Sequence, residues 1–544
     1  VSEVRQEGDL KFLYKLRVDE SSLKKRNINP KLTDYRKQSI TSTQLTTGQA
    51  LQFQQKANLD TSKKQQDFFE SEFEKEKKDT SSPAKIMKVE ESPKVESVLM
   101  KAKLLDYKLK FSADNFTAGF NNDVLISKYQ PYTGSLPIQL GGGDAFDAMF
   151  KASVFDLFED LRFTGAIRLP LFGSSDAQPV TSSASSNFVP GNSSFFDGSG
   201  EWYGRIDYLK RLFDYSLIYY RQTQVGSALA TLDSNQAYYD AKAYTNLWEG
   251  VIKYPFDKVR SLRLTFGVRT DKIKLRPDGT SVTTDTLALE SPDIDKQTYA
   301  LTHLEYVFDN TILKATNIWN GLRYKFYLDF NTQINKPQLG EGRKMFNFGF
   351  DARHYYPIYR NFIWALRAAG DFSWGNQKVI YYLGGTDGWL FPKANQVAPA
   401  SDSYYAFQSL AVNLRGFNQN IANGNNAVVI NSELRLPIFT TLFNKPINNA
   451  FLRNFELIQF FDLGSAWNGA YNKLSRPTEV YPSDGSSDLT VLIKAGGIGP
   501  FAGGYGFGVR STLLGYFLRL DAGWEMNSFF HSKPVIQVSM GVDF

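Results

Sequence analysis

The chain has no cysteine, only three histidines, and no apolar run near the ~18 residues that a membrane-crossing helix requires. Without cysteine there are no disulfides and no thiolate metal sites. His303, His354 and His531 stand far apart in the sequence, which gives metal ligation little support. No P-loop, nucleophile elbow or H-E-x-x-H segment is present. The glycines at 141–143 and 503–504 read as loop or strand-kink residues rather than phosphate cradles. The expectation is a protein that is not an enzyme and holds no cofactor or metal. Its 62 basic and 56 acidic residues leave a net charge of +6 with no one-sided patch, so nucleic acid is not expected as a partner. The chain opens at Val1 with neither an initiator methionine nor an apolar leader. It reads as processed or partial, with export information and room for a further domain upstream.

Aromatic residues, by contrast, are abundant at 15%, with 43 Phe and 29 Tyr, although mean hydropathy is −0.34. At the C-terminus Ile536, Val538, Met540, Val542 and Phe544 alternate with Gln537, Ser539, Gly541 and Asp543. One face of an extended strand is therefore apolar and the other small or polar. A soluble sheet packed on one core face would read the same way, and only repetition separates the two.

That repetition begins near residue 104. Leu105, Tyr107, Leu109 and Phe111 alternate with Asp106, Lys108 and Lys110. Leu161, Phe163, Ile167 and Leu169 flank Arg162, Thr164 and Arg168; Leu262, Leu264, Phe266 and Val268 flank Arg263, Thr265 and Arg269. Leu322 to Phe330 repeats the pattern with Arg323, Lys325, Tyr327 and Asp329 on the second face. A bilayer is crossed without helices only by closed barrels, whose backbone groups pair within the protein. There the aliphatics face lipid and the charges line the interior. Short connections at 156–160, 210–214, 255–259 and 357–361 alternate with long ones at 170–199, 275–296 and 376–425, the asymmetry of periplasmic turns and outer loops. Trp202, Tyr203, Tyr215, Tyr219, Trp364, Trp374 and Trp524 at strand ends suit interfacial girdles. The fold class expected is all-β, a transmembrane antiparallel β-barrel of about sixteen strands over 104–544. Strand starts fall near 105, 146, 161, 200, 215, 242, 261, 297, 321, 344, 362, 426, 456, 504, 516 and 535. A charged, Ser- and Pro-containing linker precedes it at 63–103. Residues 1–62 form an N-terminal periplasmic remnant or extension, in which 12–18 is a candidate strand.

The segment from 383 onward is more specific. Leu383-Gly-Gly385 is followed by Leu414-Arg-Gly-Phe417, then Asn431-Ser-Glu-Leu-Arg-Leu-Pro437, Phe460-Phe-Asp-Leu-Gly-Ser-Ala-Trp467, Gly506-Phe-Gly-Val-Arg510 and Phe517-Leu-Arg-Leu-Asp521. In order and spacing, with the terminal Phe strand, this set resembles the C-terminal barrel of the BamA/TamA-type outer-membrane assembly and translocation superfamily, which includes the two-partner-secretion transporters. The resemblance runs motif by motif over 383–544 and by strand pattern over 104–382. It implies that Arg415, on an outer loop folded into the interior, is clamped by Glu433 and Asp462, with Gly416 allowing close approach, Phe417 packing beside it and Gly464 on the same strand as Asp462. A guanidinium in a partly dehydrated interior needs such carboxylates. The 29 residues between Gly385 and Arg415 depart from the family pattern, and residues 386–413 are expected to cover the pore or bind a partner. No POTRA repeat is recognisable in 1–103; a related Bacteroidota group joins a TolB-like propeller to such a barrel, of which 1–62 is a candidate remnant.

The resemblance implies a bacterial outer-membrane protein that inserts barrels or exports polypeptides. Its partners would be outer-membrane lipids, unfolded outer-membrane or secreted polypeptides, and periplasmic or lipoprotein subunits. Ile536, Val538, Met540, Val542 and Phe544 would serve as its own assembly signal. Poorly paired first and last strands would form a lateral gate, because an unpaired edge is a template for an incoming strand. The rivals are a passive channel, whose inward Arg and Lys rows would favour anions, and a membrane anchor within a larger complex.

Overall fold

The structure is a computed structural model. It describes residues 2–7, 10–15, 110–120, 129–136, 138, 147–170, 178–179, 188–191, 198–232, 235–275, 293–314, 317–335, 343–400, 404–443, 447–481, 491–513, 516–527 and 533–540. The chain divides into two units, Val1–Lys108 and Leu109–Phe544. In the first, Ser2–Glu7 and Leu10–Lys15 pair as an antiparallel hairpin. The linker at 63–103 lies outside the described residues, as does the rest of residues 1–62, the candidate propeller remnant.

The second unit is built on one large antiparallel sheet. Its long strands are β1 (Phe111–Phe120), β2 (Asp147–Asp156), β3 (Leu161–Pro170), β4 (Gly200–Tyr208), β5 (Asp214–Leu232), β6 (Asn235–Pro255), β7 (Arg260–Leu275) and β8 (Asp293–Asp309). They continue with β9 (Asn317–Gln333), β10 (Lys344–Tyr359), β11 (Phe362–Gly375), β12 (Asn426–Pro437), β13 (Glu456–Trp467), β14 (Phe501–Leu513), β15 (Tyr516–Glu525) and β16 (Val535–Met540). Three short strands, Phe188–Pro190, Ile312–Lys314 and Gly497–Ile498, bring the sheet to 19. Antiparallel registers join each long strand to the next from β1 to β16. The order of strands in the sheet sets β16 beside β1, although no residue-by-residue register between the two is found among the described residues. No helix among them is long and apolar enough to cross a membrane, which says nothing against a crossing by strands.

Side-chain placement inverts that of a soluble sandwich. On β7 Phe266 and Val268 are each 46% exposed while Thr265 and Arg269 are buried. On β9 Leu322, Phe326, Leu328 and Phe330 are exposed while Tyr327, Asp329 and Asn331 are buried. The outer face thus carries apolar groups and the inner face polar ones, as a lipid-facing wall requires. Charges on the inner face form ion pairs: Arg168 with Glu201 at 3.2 Å, and Asp351 with Arg353 at 2.7 Å and Arg367 at 2.8 Å.

Leu105, Tyr107 and Leu109, with Asp106 and Lys108, fall outside the described residues, and the described strand begins at Phe111. Phe111 pairs with Asp156, the last residue of β2 before the tight turn. The 242 start is moved, because β6 extends back to Asn235 along β5.

The interior is filled. Between β11 and β12 the chain forms Lys378–Leu383, Tyr405–Leu410 and Ala422–Gly424, which join Gln130–Pro131 from the β1–β2 connection in a four-stranded sheet. Val379, Tyr381, Leu383, Phe407, Leu414, Phe417 and Ile421 pack with Tyr299, Val429, Ala466 and Ala502 of the wall in the main hydrophobic core. Arg269 sits 4.6 Å over the Phe407 ring and donates to the Tyr129 carbonyl at 2.9 Å, fastening the inner sheet to β7.

Candidate functional site

The β11–β12 connection runs inward because its ends are tied to wall strands. The Val379 N–H donates to Ser373 Oγ on β11 at 2.9 Å. Gly385 and Leu414 exchange backbone hydrogen bonds of 3.1 and 3.0 Å, drawing Leu383-Gly-Gly385 against the Arg-Gly-Phe segment despite the long intervening sequence. Of the residues between, Tyr405–Leu410 forms a strand of the four-stranded sheet. The insertion therefore leaves the two motifs adjacent, and much of it is interior packing.

Arg415 lies where three strands converge. Its Nε and Nη2 donate to the two carboxylate oxygens of Asp462 on β13 at 2.7 and 2.8 Å, and its backbone N–H donates to Asp462 Oδ2 at 3.0 Å. Its Nη1 donates to Glu433 on β12. The guanidinium also stands 3.9 Å over the Phe460 ring, a cation–π contact in a desolvated setting. Both carboxylates are 0% exposed. Asn431 adds a 2.8 Å bond to Asp462 Oδ1 and another of 2.8 Å to the Asn413 carbonyl.

Two further arginines belong to the cluster. Arg435 donates to Glu433 Oε2 at 2.9 Å, and Arg510 on β14 donates to Glu433 Oε1 at 2.8 Å. Arg435 continues to Asn317, which bonds Glu456 at 2.6 Å. Sequence reasoning named neither arginine as a site residue, although both stand inside the quoted motifs. The signal was available: Arg435 follows Glu433 by two and so shares its face.

Gly416 adopts φ +89°, and a Cβ there would stand 2.9 Å from the Trp524 carbonyl oxygen on β15. At Gly504 a Cβ would meet the Arg415 carbonyl at 1.8 Å. The absence of these side chains is what lets the loop lie on the strands. Phe417 is buried in the main core and accepts a 3.2 Å bond on its carbonyl from Gln537 of β16. Gly464 underlies Leu383 and Leu414. Ile536 and Val538 of the terminal set lie on the exposed or half-exposed face of β16, whereas Met540 is buried; Val542 and Phe544 lie outside the described residues.

His303 and His354 do not converge. His303 Nδ1 lies 2.5 Å from Asp329 Oδ1 inside the sheet, His354 is exposed on β10, and His531 is outside the described residues. Among the described residues, no group of acidic, histidine or cysteine side chains is arranged to hold a metal ion. The arrangement at Arg415 has no nucleophile or proton shuttle aimed at open space; it can hold a segment of chain in place.

Residues 195–544 match the Omp85 superfamily domain. The chain belongs to the Omp85 superfamily. It is accordingly an outer-membrane β-barrel protein of the assembly and translocation class, located in the bacterial outer membrane. Among solved structures it is similar to BamA from Haemophilus ducreyi lacking POTRA domains 1-3, at 11% identity and TM-score 0.40, over 81% of this chain and 72% of that one. It is also similar to CdiB from Acinetobacter baumannii (9%, TM-score 0.38, 81% of this chain and 60% of that one) and to CdiB from Escherichia coli (10%, 0.39, 81% and 63%). No curated protein matches the sequence significantly.

Proposed function

We propose that the chain inserts polypeptides into the outer membrane by parting its sheet between β1 and β16. The packed interior carries this reading. A passive channel needs a continuous wet path, whereas here an apolar core and a salt-bridged loop occupy the space inside the wall. Export through the interior would require that whole plug to leave, while strand exchange at the wall does not. In this reading Arg415, Glu433 and Asp462 hold the loop so that the sheet keeps its shape while an edge opens. Gly416, Phe417 and Gly464 let the loop seat, and the terminal strand ending at Phe544 directs the chain's own insertion. The clients are unfolded barrel polypeptides, with periplasmic or lipoprotein subunits delivering them and outer-membrane lipid receiving them.

The test is reconstitution of the full protein in vesicles of outer-membrane lipid, supplied with an unfolded eight-stranded barrel. Folded client, read by its gel shift on heating, should accumulate faster than in empty vesicles. No acceleration together with steady anion conductance would move the assignment to a channel.

A further inference from the structure

The β11–β12 connection does more than fill the interior: at one point it enters the wall. Trp389 forms an antiparallel bridge with Ser539 of β16. The Leu390 N–H donates to the Val538 carbonyl at 2.9 Å and the Met540 N–H donates to the Gly388 carbonyl at 3.1 Å. β15 already pairs with β16 along its other edge, with Leu518 opposite Met540 and Leu520 opposite Val538. Gly388–Leu390 therefore occupies the edge of β16 that faces away from β15. It runs antiparallel, the sense in which every long strand of the sheet meets its neighbour.

The side chains follow the wall's alternation. Leu390, opposite Val538, packs with Met540, Val538, Leu518 and Tyr516 in a cluster of its own. Trp389, opposite the fully buried Ser539, turns inward, with its ring lying against Gly385. The excursion is short and tied on both sides. Before it, the Asp387 N–H donates to Asn413 Oδ1 at 2.7 Å and the Asp387 carbonyl accepts from Arg519. After it, the Lys393 carbonyl accepts from the Gln419 N–H at 2.8 Å and the Asn395 N–H donates to the Gln419 carbonyl at 2.8 Å.

The same connection also holds the other side of the sheet. Gln419 bonds the backbone of Ile138, in the β1–β2 connection, on both its N–H and its carbonyl at 2.8 Å, and Phe407 and Gln408 pair with Pro131 and Gln130. One loop thus grips the β1 hairpin through Gln419 and the β16 edge through Gly388–Leu390.

We propose that Gly388–Leu390 is an internal strand surrogate, seated on the outer edge of β16 in the place an incoming extended polypeptide must take. The partner that displaces it is a strand running antiparallel to β16, with an apolar residue opposite Val538 and a residue fitting the interior opposite Ser539. This rests on the function proposed above, and it adds that the edge is kept occupied between clients. An exposed strand edge is a template for unwanted pairing, and a surrogate of three residues covers it while making only two backbone bonds to be broken.

Two measurements on the full protein in vesicles test it. In the first, Ser539→Cys is mixed with a synthetic peptide copying residues 386–392 with cysteine in place of Trp389, and the mixed disulfide is quantified. Leu390→Pro removes the N–H that bonds Val538, and Leu390→Asp disrupts the contact with Met540; each should raise the yield at least ~10-fold over the Ser539→Cys parent, since ligand capture scales with the fraction of edge that is free. Equal yields in parent and variants would overturn the surrogate. In the second, Trp389→Cys with Ser539→Cys is oxidised. Residues opposite each other in a non-hydrogen-bonded antiparallel pair have Cα atoms ~4.5 Å apart, within disulfide range. Client insertion should fall on oxidation and return on reduction. Full insertion with the bond closed would overturn the surrogate and leave the proposed function standing. Failure of the reduced and unmodified chains alike would remove the proposed function, and the peptide yields would still decide the surrogate.

Discussion

Replacing Glu433 by Gln should destabilise the protein more than replacing Arg415, and the two changes together should cost less than their sum. Glu433 accepts from Arg415, Arg435 and Arg510, while Asp462 is the second carboxylate of the group. Glu433→Gln keeps the volume and removes the carboxylate charge that Arg415, Arg435 and Arg510 share, among side chains no more than 2% exposed. Breaking a buried pair costs ~3–5 kcal/mol, and because three arginines lose a partner at once we expect the top of that range, ~5 kcal/mol. Arg415→Met is milder, at ~3 kcal/mol. Glu433 keeps Arg435 and Arg510, and Asp462 keeps Asn431. In the double variant one of the three cations is gone, so the cost should fall ~0.5–3 kcal/mol below the sum, the range found for coupled neighbours. The assay is urea unfolding of the lipid- or detergent-embedded protein, followed by the fluorescence of its 8 tryptophans and by gel shift on heating. Additivity within ~0.5 kcal/mol, or a larger loss from Arg415→Met than from Glu433→Gln, would refute the idea that the cluster acts as one unit centred on Glu433.

Three further outcomes follow from single contacts. Gly416→Val places a β-branched residue at φ +89° with its Cβ 2.9 Å from the Trp524 carbonyl; it should cost ~1–3 kcal/mol in the same unfolding assay and slow client insertion by loosening the loop. Gln419→Ala removes both bonds to Ile138 and should make the 129–138 segment the first site of limited proteolysis, a pattern absent from the parent. Deleting Phe544 should lower the yield of membrane-inserted, heat-modifiable protein, and an undiminished yield would count against the terminal strand as the chain's own assembly signal.

Much of the wall was legible because a strand in this setting writes its two faces into the sequence. Starts expected near 161, 200, 215, 261, 344, 362, 426, 456, 516 and 535 lie within one residue of those observed. The expected strand residues at 105–109 lie outside the described residues. The β6 start was placed late because Ala237, Ala241 and Ala243 carry little contrast between the faces. The pairing of Gln130 and Pro131 with Gln408 and Phe407 has no local signature at all, since it joins segments more than 270 residues apart. For the same reason the packing of the interior left no local signature, and Gly388–Leu390 was legible only as part of the 386–413 insertion expected to cover the pore or bind a partner. At the site, the motifs located Arg415, Glu433 and Asp462; the share of Glu433 held by Arg435 and Arg510 becomes visible only when the register sets three strands side by side.

The most direct test of the account is to lock the sheet between its first and last strands. The protein has no cysteine of its own, so a scan of pairs drawn from Phe111–Phe120 and Val535–Met540 reports on that junction alone. Gly165→Cys with Gly204→Cys serves as control, because these residues face each other across β3 and β4, with open space at the Gly204 Cβ position and only an ordinary 3.9 Å contact to the Tyr203 carbonyl oxygen at that of Gly165. Where a first-to-last pair forms a disulfide, insertion of the unfolded barrel client should stop and resume on reduction, while the oxidised control inserts at the parent's rate. Undiminished insertion with the junction closed would contradict lateral opening.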